Sequence, residues 1–155
     1  MTVVIAGAAF ADHPNDKLGI GVMGGFLGQW DESGLGHISL SLKLPGIPVF
    51  WGGHLGFNSS YFRLGVFGDY YIIESPLVSN INLHWYVGLG GWLNLGFNEF
   101  YLSFGARLPI GISWHVIDML EVFLEAAPSL GIKVAKDFHF PAGGWPLALG
   151  IRVWL

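Results

Sequence analysis

The chain has 155 residues, 52% hydrophobic and only 12% charged, against about 25% charged in soluble domains. Its 7 basic and 11 acidic side chains are too few to coat a water-facing globule of this size, and a net charge of -4 gives no basic footprint for nucleic acid. The absence of cysteine excludes a disulfide framework and a thiolate metal site, and no stretch reaches the ~20 uninterrupted apolar residues of a transmembrane helix.

Val3-Val4-Ile5-Ala6-Gly7-Ala8 is a short apolar stretch, and Ala9-Phe10-Ala11 has the A-x-A form of a signal-peptide cleavage site. Residues 1–11 therefore read as the remnant of a secretory signal, whose basic start is expected upstream of Met1. An edge strand or ordered apolar tail is the other reading. Residues 12–17 form a polar tail, and the remaining chain, 18–155, is one domain.

That domain divides into eight runs in which apolar and small or polar residues alternate, the period of a β-strand. The first, 18–29, sets Leu18, Ile20, Val22 and Phe26 against Gly19, Gly21, Met23 and Gly25. After a polar loop, Trp30–Gly36, the second run (37–44) sets Ile38, Leu40 and Leu42 against Ser39, Ser41 and Lys43. Pro45-Gly46-Ile47-Pro48 is a turn by residue type. The third run, 49–58, sets Val49, Trp51, Leu55 and Phe57 against Phe50, Gly52, His54 and Gly56.

The fourth, 61–74, sets Phe62, Leu64, Val66, Tyr70 and Ile72 against Arg63, Gly65, Phe67, Asp69 and Tyr71, and 75–80, holding Pro76, reads as a loop. The fifth, 81–94, sets Leu83, Trp85, Val87, Leu89 and Leu93 against His84, Tyr86, Gly88, Gly90 and Trp92; residues 95–98 turn the chain. The sixth is the cleanest. Every even position from Phe100 to Val116 is apolar, and Arg107 lies on the other face. After a turn near Ile117-Asp118, the seventh sets Leu120, Val122, Leu124, Leu130 and Ile132 against Glu121, Phe123, Glu125, Gly131 and Lys133. Residues 136–145, with Pro141 and Gly143-Gly144, read as the longest loop. The eighth run, 146–155, sets Leu147, Leu149, Ile151 and Val153 against Ala148, Gly150, Arg152 and Trp154.

All three arginines, Arg63, Arg107 and Arg152, fall on the glycine-rich face opposite the apolar one. A narrow polar interior inside an apolar exterior suits a lipid bilayer, and strands can cross a bilayer only as a closed barrel. The expected fold is all-β, an eight-stranded antiparallel transmembrane β-barrel. With odd strands rising, Trp51, Tyr70, Trp85 and Trp114 all fall outward at one end as an aromatic girdle, with Phe26, Phe57, Phe62 and Phe100 at the other. A soluble lipid-binding barrel would turn the glycine-rich, sparsely charged face to water, where it solubilises poorly.

An eight-stranded barrel is just wide enough inside for its own side chains. The candidate functional set is therefore a lumen charge network: the basic Lys43, Arg63, Arg107, Lys133 and Arg152 against the acidic Asp69, Glu121 and Glu125. It reads as a plug of ion pairs, or alternatively as a polar path favouring small anions. A catalytic reading would rest on His37-Ile38-Ser39 with Glu32, but both His37 and Ser39 point inward. His54, His84 and His115 lie on different strands without metal-ligand spacing. No cofactor or catalytic residue is expected.

Taken together, the signal remnant, the eight amphipathic runs, the girdle and the alternating C-terminal strand resemble the small bacterial outer-membrane barrels of the OmpA, OmpX and OmpW type. Gly105–Val116 followed by Leu120-Glu121-Val122-Phe123-Leu124-Glu125, Pro128 and Gly131 looks closest to the OmpW-like or OmpA-like barrels of spirochaetes. The resemblance covers 18–155 and departs at the end, where the usual terminal aromatic is Trp154 followed by Leu155. It implies an integral protein of the outer membrane with lipid and the barrel assembly machinery as partners. The role implied is structural or that of a narrow pore. A channel for small or hydrophobic solutes is the alternative, and a lipid-modifying enzyme a more distant one.

Overall fold

Alternating side chains commit the backbone to extended strands, and in a computed structural model those strands form one antiparallel ladder. The structure describes residues 13–29, 35–57, 59–60 and 62–155. The strands are β1 (Gly19–Gln29), β2 (Leu35–Lys43), β3 (Phe50–Phe57), β4 (Phe62–Val78), β5 (Leu83–Gly96), β6 (Tyr101–Arg107), β7 (Ile110–Ile117), β8 (Leu120–Ala126), β9 (Ser129–Val134) and β10 (Phe138–Trp154). Through β5 each strand pairs with its sequence neighbour. β5 then pairs with β6 along its second half and with β7 along its first. β10 likewise pairs with β8 and β9. β6 with β7, and β8 with β9, are thus single staves, each interrupted once, so the ten strands make eight staves. β10 pairs with β1 from Gly19↔Trp154 to Gln29↔Gly144, which returns the ladder to its start.

The interruptions were not expected from the unbroken alternation of the sixth and seventh runs. They fall at Leu108-Pro109 and Ala127-Pro128, where a proline nitrogen has no hydrogen to give the ladder. Neighbouring amides take over: Leu108 N donates to Pro128 O (2.9 Å), Gly88 N to Pro109 O (2.8 Å) and Ala127 N to Pro146 O (3.0 Å).

Two expected loops are strand instead. Residues 75–78 continue β4, because β3 pairs only as far as Phe50↔Asp69 and leaves the far end of β4 with one open edge that tolerates Pro76. Residues 138–145 belong to β10, paired with β9 across an irregularity between His139 and Ala142 that accommodates Pro141. The expected ten-residue loop is therefore a short turn at 135–137. Smaller corrections follow. β2 starts at Leu35, a 3-10 turn occupies Ser79–Ile81, and β5 runs on to Gly96. Residues 30–34 of the expected first loop lie outside the described residues.

The facing follows the alternation. Val22, Leu40, Val66, Leu89 and Leu149 are 53–64% exposed, a continuous apolar exterior that water would penalise. Phe50, Phe67, Tyr86, Phe123 and Trp154 are buried on the inside with the charged residues.

Candidate functional site: the lumen

Strand register brings the inward charges together in two tiers. Nearer the chain termini, Arg152 on β10 stands directly opposite Glu121 on β8. Its Nη1 donates to both carboxylate oxygens (3.0 and 2.9 Å) and its Nη2 to Ser41 Oγ (3.1 Å). The guanidinium lies 4.6 Å from the ring centres of both Phe50 and Phe123. Trp154 Nε1 gives Glu121 a third hydrogen bond at 2.8 Å. Burying such an ion pair is tolerable only when most of its remaining hydrogen-bonding capacity is met; here, of this pair, only Arg152 Nε lacks a hydrogen-bond partner among the described residues.

Into this tier the chain inserts its own N-terminal segment. His13 is buried, with Nδ1 2.6 Å from Glu74 Oε2 and Nε2 2.9 Å from Glu121 Oε1. Phe50, Tyr71, Tyr86, His115 and Trp154 surround its ring. Burial alone would hold the imidazole neutral, but the two carboxylates outweigh it and push its pKa up to about 9. His13 is therefore an imidazolium clamped between β4 and β8. Asn15 secures the same segment, accepting from Lys43 Nζ (3.1 Å) and, through its carbonyl, from Gly46 N.

The second tier is built across glycines. Asp69, Gly90 and Arg107 lie side by side on β4, β5 and β6. With no side chain on Gly90, Arg107 Nε reaches Asp69 Oδ1 at 3.1 Å; a Cβ on Gly90 would fall onto that carboxylate. Gly111 plays the same part between Tyr86 and Glu125, its neighbours on β5 and β8. Tyr86 OH donates to Glu125 Oε2 (2.9 Å), Tyr71 OH to the same oxygen (3.3 Å) and Arg107 Nη2 to Oε1 (2.7 Å). Arg107 also packs 4.1 Å from the Phe67 ring centre.

Solved structures show the same architecture. The crystal structure of Neisserial surface protein A (NspA) matches with a TM-score of 0.56 at 12% identity, over 88% of this chain and 96% of that one. The N-terminal β-barrel domain of Pseudomonas aeruginosa OprF matches with a TM-score of 0.56 at 12% identity, over 90% and 98%. The fold is that of the eight-stranded outer-membrane β-barrels. No family model and no curated protein sequence matches.

Within this barrel, Arg107, Asp69 and Glu125 form one cluster of the expected network, and Arg152 with Glu121 another. Of the remaining three, Lys43 holds Asn15 and Leu44 O, Lys133 sits 4.3 Å from the Tyr101 ring centre, and Arg63 is buried on β4, lining the same part of the lumen as Arg107 and Glu125. Trp51, Tyr70 and Trp114 are exposed on the outside, and Trp85 is half-buried. Tyr70 directly follows Asp69, the partner of Phe50 at the start of β3, so Tyr70 and Trp51 lie close to one level. His84 and His115 come within 6.2 Å between ring centres, beside His13, while His54 lies elsewhere in the lumen. Among the described residues no group has the arrangement of a metal site. Glu32 lies outside the described residues.

Sequence reading missed Glu74 and His13. Strict alternation turns Glu74 outward; the irregularity between Tyr71 and Ile73 shifts the phase and turns it in. The adjacent Ile72-Ile73, two aliphatic residues in succession, is the signal that marks this break. His13 carries no such mark, because nothing in a polar tail announces that it folds back into the barrel.

Proposed function

We propose that the chain is an integral outer-membrane barrel whose lumen is closed by its own side chains, serving as a structural element or a narrow, intermittent pore. One observation carries the reading: at the level of His13 the cross-section is filled by Phe50, Tyr71, Tyr86, Arg152 and Trp154, each under 9% exposed. The apolar exterior with its outward aromatics supports a place in lipid. Barrel assembly machinery is then a required partner, although Trp154, the terminal aromatic, is buried in the lumen against Glu121. The reading is non-enzymatic. His37 and Ser39 face the lumen, away from where acyl chains of the bilayer would be presented.

Single-channel recording on refolded protein in planar bilayers tests this. The wild type should give small, intermittent, anion-favouring currents, and Arg107→Ala or Glu125→Ala should enlarge them. A steady, large wild-type conductance would establish an open lumen and favour the solute-channel alternative. Release of fatty acid from lipid A, with no current in any variant, would favour an enzyme.

A further inference from the structure

The space that His13 fills is walled by side chains of the strands. Glu74 on β4 and Glu121 on β8 stand at its two ends, 2.6 and 2.9 Å from the two nitrogens of the His13 ring. Between them, Phe50, Tyr71, Tyr86 and Trp154 enclose the imidazole, with ring centres 5.1–6.0 Å from its own. All six side chains are buried. Aromatic rings beside carboxylates are a recurrent means of holding an organic cation. Glu121 is also met by Arg152 and Trp154. Glu74, in contrast, hydrogen-bonds to His13 alone among the described residues, and its Oε1 is buried without a partner. Emptied of His13, the space keeps one carboxylate that no other described side chain pairs with. The occupant itself comes from a tail. Asn15 and Asp16 beside it are exposed, and the segment is otherwise held at Asn15 by Lys43 Nζ and Gly46 N. Withdrawing it breaks these bonds and no strand pairing.

We propose that this cage is a binding site for a small flat organic cation with two diverging N–H donors, such as an imidazolium, amidinium or guanidinium head group, and that His13 is its tethered occupant. The charge requirement follows from Glu74, and the shape from the four enclosing rings. The two donors follow from carboxylates that meet different nitrogens of one ring, and charge-assisted bonds of this kind are the strong ones. A quaternary ammonium ion lacks the donors, and a neutral azole lacks the charge. Tethering raises the local concentration of the His13 side chain to about the millimolar range, so a free cation binds in competition with the tail. The site rests on the lumen reading above, since it requires Glu74 and Glu121 to face an enclosed interior, but it does not require that the lumen be closed to current.

The test uses the full chain refolded in detergent micelles at pH 6, with His13→Gly to empty the cage and isothermal titration calorimetry to read binding. Imidazole, mostly protonated at that pH, should bind His13→Gly saturably. Pyrazole, its neutral isomer, and tetramethylammonium should bind at least tenfold more weakly. The wild type should bind imidazole at least tenfold more weakly than His13→Gly, because the tail competes. Adding Glu74→Gln to His13→Gly should cost at least tenfold in affinity, with the barrel fold checked by far-UV circular dichroism. Deleting residues 1–13 empties the cage by a second route and should give the same preferences. Imidazole binding that is absent from both folded vacant forms, matched by pyrazole or tetramethylammonium, or equal in the wild type or the Glu74→Gln variant would overturn the site. Current recordings are independent of this readout. Selective imidazole binding in a steadily conducting barrel would reject the closed lumen and keep the cage, whereas a closed barrel whose vacant forms bind no imidazole would do the reverse.

Discussion

Replacing His13 by alanine removes a charge from between two buried carboxylates and leaves Glu74 facing an unfilled space. Two routes give the magnitude. A shift of the imidazole from 6.5 to about 9 corresponds to about 3 kcal/mol of folding stability at low pH. Removing one member of a buried ion pair costs about 3–5 kcal/mol by general experience, which agrees. Because the folded-state pKa is raised, this stabilisation is fully present below about pH 6.5 and is lost as the pH rises through about 9. Urea unfolding of the refolded barrel at pH 6, 8 and 10, followed by tryptophan fluorescence, measures it. The wild type should exceed His13→Ala by about 3 kcal/mol or more at pH 6. The gap should shrink by pH 10 to what packing and neutral hydrogen bonds contribute, about 1–2 kcal/mol. A gap that is equal at pH 6 and pH 10, or that widens with pH, would refute the clamp.

Further outcomes are expected at the N-terminus and at Gly90. Deleting residues 1–11 should leave urea stability unchanged, whereas deleting 1–13 should reproduce the His13→Ala loss; N-terminal sequencing of the native protein should begin after Ala11. Gly90→Val should destabilise by about 2–4 kcal/mol, because its side chain displaces Asp69 from Arg107. The paired variant Gly90→Val with Asp69→Ala should lose less than the sum of the two single changes.

Much of the barrel is legible in the chain because one face meets an apolar surrounding and the other a confined polar interior, so alternation carries the fold. Every even residue from Phe100 to Val116 is apolar for that reason, and the inward placement of Arg107, Glu121, Glu125 and Arg152 follows from the same parity. Parity fails where the backbone adds a residue. The shift at Ile72 turns Glu74 inward, and Pro76 and Pro141, which read as loop signals, sit instead in irregular strand with an open or bulged edge. Partner choice is less legible still. Asp69 selects Arg107 because Gly90 leaves a gap between them, which is a property of three-strand register and invisible along any one strand. His13 is the extreme case, since its two partners lie 61 and 108 residues away.

The proposed function requires that the apolar face meet lipid while the charged face is enclosed. Nitroxide scanning along β6 and its preceding turn, residues 100–107, in liposome-embedded protein tests it most directly, with oxygen as the lipid-soluble quencher and a nickel chelate as the aqueous one. Labels at Leu102, Phe104 and Ala106 should be reached strongly by oxygen and poorly by nickel, and labels at Ser103 and Gly105 poorly by both, giving a period of two. The opposite phase, or strong nickel access to the even positions, would contradict the account.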